Sequence, residues 1–138
     1  LDYGRMGLSV EDHPMVHMRE ELRRRGSLGT ERLFRHEELR YLTHGHRVTI
    51  AGLVTGRQRP QTASGVTFVS LEDETGVQNL IITVSVFERF RHAVLFSKLA
   101  LVRGLLEREG EVLHVLVHSL ERLELDGGEL PAKSRDFH

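Results

Sequence analysis

The feature that most constrains this chain is a change of period at His46. From Arg47 onward, apolar residues recur with a period of two, the pattern of strands that bury one face. Arg47–Arg57 (RVTIAGLVTGR), Val66–Asp73 (VTFVSLED) and Val77–Val84 (VQNLIITV) read as three strands. The second and third form a hairpin through Glu74-Thr75-Gly76, and Gln58–Gly65 (QRPQTASG) is a polar loop. Gly52, inside the first strand, predicts a bulge. The alternation then breaks at Ser85-Val86-Phe87-Glu88, an S-x-x-E capping box in which hydroxyl and carboxylate each satisfy a backbone N–H. Phe87, Phe90, Val94 and Leu95 give a helix from Ser85 to about Phe96 its apolar face. Two further strands, Leu99–Arg108 and Glu111–Leu123, turn at Glu109-Gly110.

Three strands, a helix and two strands is the order of an oligonucleotide/oligosaccharide-binding (OB) barrel. The expected fold is mainly β: a five-stranded OB-fold barrel with a helix between strands three and four, preceded by a short helical segment. A small mixed sheet with a flanking helix would use the same elements. The helical segment begins at Asp12-His13-Pro14, a short acceptor side chain followed by Pro at the first turn. Met15, Met18 and Leu22 follow at helical spacing, and Gly26 ends the run after Arg23-Arg24-Arg25. A second short helix is expected over Glu37–Leu42. Neither piece has enough apolar surface to fold alone. The division is therefore a helical leader packed on the barrel over 1–44, the barrel over 45–125, and a polar tail over 126–138 that is expected to lack fixed structure.

At 138 residues and 39% apolar composition the chain can bury one core. That is too short for a polymerase, a nucleoside-triphosphate motor or most two-domain enzymes. The first residue is Leu rather than Met, which suggests a piece of a longer protein. Cysteine is absent, which excludes disulfides, thiol catalysis and Cys-ligated zinc. No run approaches the ~18 apolar residues of a membrane span, and the first 30 residues are too charged for a signal peptide. The expectation is a soluble cytoplasmic chain with no membrane partner.

The net charge of −1 hides an uneven distribution. Residues 39–71 carry Arg40, Arg47, Arg57 and Arg59 with no acid, while residues 107–138 carry four bases against eight acids. A patch of one sign on a near-neutral molecule can steer an anionic partner. A β-rich middle that merely lacks acids gives the same count.

Arg57 and Arg59, beside Thr62 and Ser64, offer guanidinium forks and hydroxyls to phosphate oxygens; a solvated loop is the plainer alternative. Phe68 alternates with Val69 and Leu71. It faces out, where a base can stack on it, if those two face the core; a bulge turns it inward. Asn79 faces out if Leu80, Ile82 and Val84 face in, and can then meet a base edge or sugar. Arg103, midway along strand four, extends the basic track. Asp73 reads as a brace for the Glu74-Thr75-Gly76 turn. Of the nine His residues, His44/His46, His13/His17 and His114/His118 form pairs, but none supplies the three or four converging ligands zinc needs. No G-x-S-x-G elbow or paired-carboxylate motif is present, so the reading is no catalytic residue, no metal and no cofactor.

The run from Ala51-Gly52-Leu53-Val54-Thr55-Gly56-Arg57-Gln58-Arg59-Pro60 through Thr62-Ala63-Ser64-Gly65-Val66-Thr67-Phe68-Val69-Ser70-Leu71-Glu72-Asp73-Glu74-Thr75-Gly76 resembles the C-terminal barrel of the error-prone DNA polymerase III alpha subunits, bacterial C-family polymerases used in damage-induced mutagenesis. Gly7-Leu8-Ser9, His13-Pro14-Met15 and the closing Ser134-Arg135-Asp136-Phe137-His138 extend the resemblance along nearly the whole chain. The chain departs from the family at Ile82-Thr83, where an aromatic residue is usual. The resemblance implies a non-catalytic part of a DNA-directed DNA polymerase, contacting single-stranded template DNA during translesion synthesis without sequence specificity. Arg57, Arg59 and Arg103 would take phosphates, and Phe68 and Asn79 bases or sugars. The partners it implies are single-stranded DNA and the remainder of the polymerase chain. The alternative is a protein-docking module that recruits the polymerase to damage-response accessory proteins through the barrel and its acidic tail.

Overall fold

The computed structural model describes residues 12–26, 28–59 and 65–124. Thr62, Ser64 and the tail beyond Glu124 therefore lie outside the described residues. Helix α1 spans Pro14–Arg25 and is capped by His13 rather than by Asp12. The His13 ring outperforms a short side chain here because it has two ends. Nδ1 accepts the Met15 N–H at 3.0 Å, which leaves the proton on Nε2 to be donated to Glu72 Oε2 at 3.0 Å. One buried side chain thus caps α1 and ties it to the barrel. Gly26, at φ 68°, closes the helix in the left-handed conformation that suits glycine.

A two-residue strand β1 (Leu33–Phe34) pairs in parallel with the next strand. The second short helix, expected over Glu37–Leu42, is a 3-10 helix over His36–Tyr41. The remaining strands are β2 (Arg47–Gln58), β3 (Thr67–Asp73), β4 (Gly76–Ile82), β5 (Leu99–Glu109) and β6 (Val112–Leu123). Their order is β1-β2-β3-β4-β6-β5, and β2 also pairs with β5, so the last five strands close into a barrel. β2 joins β5 antiparallel over Arg47–Leu53 and β3 over Leu53–Gln58, while β4 and β6 run parallel.

Gly52 sits where β2 passes from one partner to the other. It is not the expected bulge; the register shift falls between Val54 and Gly56. Gly52 is there because a Cβ would lie 2.5 Å from the Glu72 carbonyl oxygen, a close backbone approach only glycine permits. The expected single helix is two, α2 (Val84–Arg89) and α3 (Arg91–Phe96), separated by Phe90 at φ −117°, ψ 28°. β4 ends at Ile82, so the chain turns early, Thr83 becomes the N-cap and Ser85 lies inside the first turn. The Ser85-to-Glu88 capping box is therefore not formed.

Two apolar clusters hold this together. Val69, Leu71, Leu80, Ile82, Val102 and Val115 fill the barrel, and Phe87 and Val94 of the helical segment insert into the same core. Met15, Met18 and Leu22 of α1 pack on Ala51, Leu99, Leu101 and Leu123 on the outside of the wall. No helix among the described residues is long and apolar enough to cross a membrane.

Candidate nucleic-acid interface

Strict alternation on β3 and β4 builds an open face. Val69, Leu71, Leu80 and Ile82 point inward, so Phe68, Ser70, Asn79 and Ile81 point outward. Cross-strand register then assembles two rows. Gln58 of β2 stands opposite Phe68, which stands opposite Ile81. Gly56 stands opposite Ser70, Ser70 opposite Asn79, and Asn79 opposite His114 of β6. Together with Val69 these residues line a cleft of about 400 Å³. The Phe68 ring remains 38% exposed within it, which resolves the two orientations open from sequence in favour of the outward one. The cleft offers a stacking surface, two side-chain amides, a hydroxyl and an imidazole. Its one titratable wall residue, His114, holds Glu107 Oε1 at 3.2 Å through Nε2.

The basic residues are placed differently. The alternation that sets Gln58 on the cleft turns Arg57 and Arg59 away from it, toward the helical segment. Arg57 Nε donates to the Val94 carbonyl at 2.6 Å and Nη2 to the Ser97 carbonyl at 2.7 Å. Those carbonyls end α3, where backbone acceptors lack helical partners and a cation meets the negative dipole end. Burial holds the Arg57 guanidinium below its ordinary pKa. Arg59 lies over the Phe87 ring, 4.6 Å from its centroid. Arg103 gives two hydrogen bonds of 2.8 Å to Glu31, and that carboxylate raises its pKa.

Of the residues singled out from sequence, Phe68 and Asn79 share the cleft, Arg57 and Arg59 share the helical end, and Arg103 stands apart from both. Ser70 shares its parity with Phe68 on one strand, a signal the sequence carries; Gln58 joins because β2 runs one residue past its expected end at Arg57. His114 joins only through the parallel β4–β6 pairing, which no local pattern announces. Asp73 braces its turn: Oδ1 accepts the Thr75 and Gly76 N–H groups at 2.7 and 3.1 Å. No group of three or more potential metal ligands occurs among the described residues. His44 is occupied with the Arg108 N–H and His46 with the Arg47 carbonyl.

A closed five-stranded barrel with a helical insertion between its third and fourth strands and an open face across its second and third is an OB-fold. Solved structures agree on the fold. Asparaginyl-tRNA synthetase from Pyrococcus horikoshii, complexed with asparaginyl-adenylate, matches 73% of this chain and 24% of its own at TM-score 0.57 and 21% identity. The S. pombe Stn1-Ten1 complex matches 59% of this chain and 60% of its own at TM-score 0.50 and 15% identity. No protein-family model matches the chain.

Sequence relatives narrow the class. The chain is 43% identical over 137 residues to the error-prone DNA polymerase of Pseudomonas aeruginosa, covering 99% of this chain and 13% of that protein. It is 44% identical to the error-prone DNA polymerase of Anaeromyxobacter dehalogenans, covering 99% of this chain and 11% of that one, and 43% identical to that of Vibrio campbellii. The chain is thus homologous to a segment of the error-prone DNA polymerases, spanning about an eighth of the length of these relatives.

Proposed function

We propose that this barrel binds single-stranded nucleic acid across β3 and β4, as the template-contacting, non-catalytic part of an error-prone translesion polymerase. The observation that carries the reading is the outward Phe68 ring flanked by Gln58, Ser70 and Asn79 on a face over which none of the described residues packs. A flat aromatic surface stacks any base, and amides beside it contact bases or sugars without demanding one sequence. Phe68 and Asn79 take bases or sugars. Arg59, with Thr62 and Ser64 of the same loop, takes phosphates. Arg57 and Arg103, whose guanidiniums already serve two carbonyls and Glu31, hold the framework that carries these groups. The remainder of the polymerase chain supplies the catalytic machinery, and the single-stranded template is the shared substrate.

The test is fluorescence anisotropy of a labelled strand of ~20 nucleotides, titrated at low and moderate salt. Phe68→Ala is expected to weaken binding by about 1–3 kcal/mol, the worth of one stacked base. Absence of binding by the unaltered chain even at low salt would sink the reading. A second reading, a protein-docking barrel for damage-response partners, draws on the same cleft's lack of any Lys or Arg in its wall. It predicts that Phe68→Ala leaves oligonucleotide affinity untouched.

A further inference from the structure

The cleft can hold bases, yet its walls carry no cation to neutralise the backbone that connects them. Three arginines without a carboxylate partner among the described residues lie next to it. Gln58 and Ile81 form one end of the cleft, and both lead directly out of it, β2 into Arg59 and β4 into α2. Arg59 and Arg91 lie over the same Phe87 ring, 4.6 and 5.2 Å from its centroid. Arg89 lies over Phe90 at 5.7 Å. Stacking holds a guanidinium flat while leaving its edge N–H groups for an oxyanion. Among the described residues eight arginines are ion-paired with carboxylates. Of the other seven, Arg57 and Arg108 are held by backbone carbonyls, Arg40 and Arg47 lie away from the cleft, and Arg59, Arg89 and Arg91 sit over rings of the helical segment. The helical segment, residues 83–98, contains Arg89, Arg91 and Lys98 against Glu88 alone. On α3, Phe96 is 58% exposed, its ring 4.9 Å from that of His92.

We propose that Arg59, Arg89 and Arg91 form a phosphate-binding track on the helical segment, which receives the backbone of a single strand as it leaves the cleft past Gln58 and Ile81. This rests on the reading of the cleft as a single-strand site and extends it by a second surface. It also assigns the helical segment, otherwise a core-filling plug, a role in binding. Charge complementarity selects the occupant: a polyanion with regularly repeated charges matches guanidiniums that sit over rings and have no carboxylate partner among the described residues, whereas neutral or basic partners do not.

The test compares strands of ~5 and ~20 thymidine nucleotides on the whole chain, with Arg89→Gln/Arg91→Gln, Arg89→Lys/Arg91→Lys and Phe68→Ala/Asn79→Ala variants. A short strand fills the cleft alone; a long one reaches the track. The Gln variant is expected to lose about tenfold in affinity for the long strand at low salt, with the plot of log K against log[salt] shallower by about 1.4, from about 0.7 for each of two lost contacts. Short-strand affinity stays within about twofold, and the Lys variant keeps most of the slope. Both arginines are exposed, and a thermal melt confirms that folding is intact. Unchanged long-strand affinity in the Gln variant would overturn the track and leave the patch to an acidic protein surface. Equal losses for short and long strands would overturn it too, by placing the arginines in the cleft. Long-strand binding that survives Phe68→Ala/Asn79→Ala but not Arg89→Gln/Arg91→Gln would uphold the track and reject the cleft. Binding of neither strand by the unaltered chain would reject both.

Discussion

The barrel wall has one face that is sealed and one that is bare, and the difference is written in its strands. On β5 both parities are apolar: Ala100 and Val102 enter the barrel, while Leu99 and Leu101 meet Met15, Met18 and Leu22 of α1. On β3 and β4 the inward parity carries Val69, Leu71, Leu80 and Ile82, and the outward one mixes Phe68 and Ile81 with Ser70 and Asn79, with no helix among the described residues over them. A strand apolar on both sides must be covered twice, because leaving either side in water forfeits roughly 25 cal/mol per Å² of burial. A strand with an outward aromatic among polar neighbours has no such need. The sealed face is where stability resides, and the bare face is where binding can be added without unfolding anything.

The comparison breaks most readily at Met18. This side chain is fully buried between α1 and the wall, so Met18→Ala is expected to cost about 2–5 kcal/mol of unfolding free energy. In a denaturant titration this appears as a lowered midpoint at unchanged slope. Phe68→Ala, on the bare face, should shift the same midpoint by no more than about 0.5 kcal/mol. Similar losses in both variants would mean that the two faces do not differ in this way.

A smaller effect sharpens the hinge between the faces. His13→Ala removes the cap of α1, worth about 0.5–2 kcal/mol, together with the buried bond to Glu72. His13→Asn caps but is too short to reach Glu72, so it should recover the capping share alone. Recovery of the whole loss by Asn would show that the link to Glu72 contributes nothing.

How far this was legible from sequence follows the range of the interactions. The five barrel strands are local patterns, alternating on β3 and β4 and apolar on both sides along β5, and Asp73 announces its turn by carboxylate chemistry within three residues. The outward side of Asn79 followed from Leu80 and Ile82, whereas Val84, read with them as an inward strand residue, opens α2 and is exposed. The cap on α1 was misread because Asp12 is the commoner capping residue, and His13 gains its advantage from Glu72, which lies 59 residues away. Gly52 carried a true signal, but the same residue type marks a bulge and a close approach, and only the position of the Glu72 carbonyl separates them. The fate of the arginines was least legible. Arg57 and Arg103 have the composition of a phosphate site, yet the α3 carbonyls and Glu31 claim them, and both claims arise only in the folded chain.

Arg103 gives the smallest and most discriminating test. By parity it follows Leu99 and Leu101, which puts it on the sealed side of the wall, where Glu31 holds it and also accepts the Thr49 hydroxyl at 2.9 Å. The Arg103 guanidinium is the largest cause of a Glu31 pKa lowered from its ordinary 4.5. Because the folded-state pKa is the lower one, the pair stabilises fully above 4.5, and its contribution disappears as pH falls through the folded value. Both side chains are 36% exposed, so solvent screening limits the pair to about 0.2–1 kcal/mol at neutral pH. Unfolding midpoints of Glu31→Gln and the unaltered chain should therefore differ by that amount at pH 7 and converge in acid below the folded pKa. The same variant removes the nearer of the two carboxylates on Arg103, leaving Glu121 at 3.8 Å. If the sealed face takes no part in binding, single-strand affinity stays unchanged; a gain would move Arg103 to the ligand side and erase the distinction between the faces.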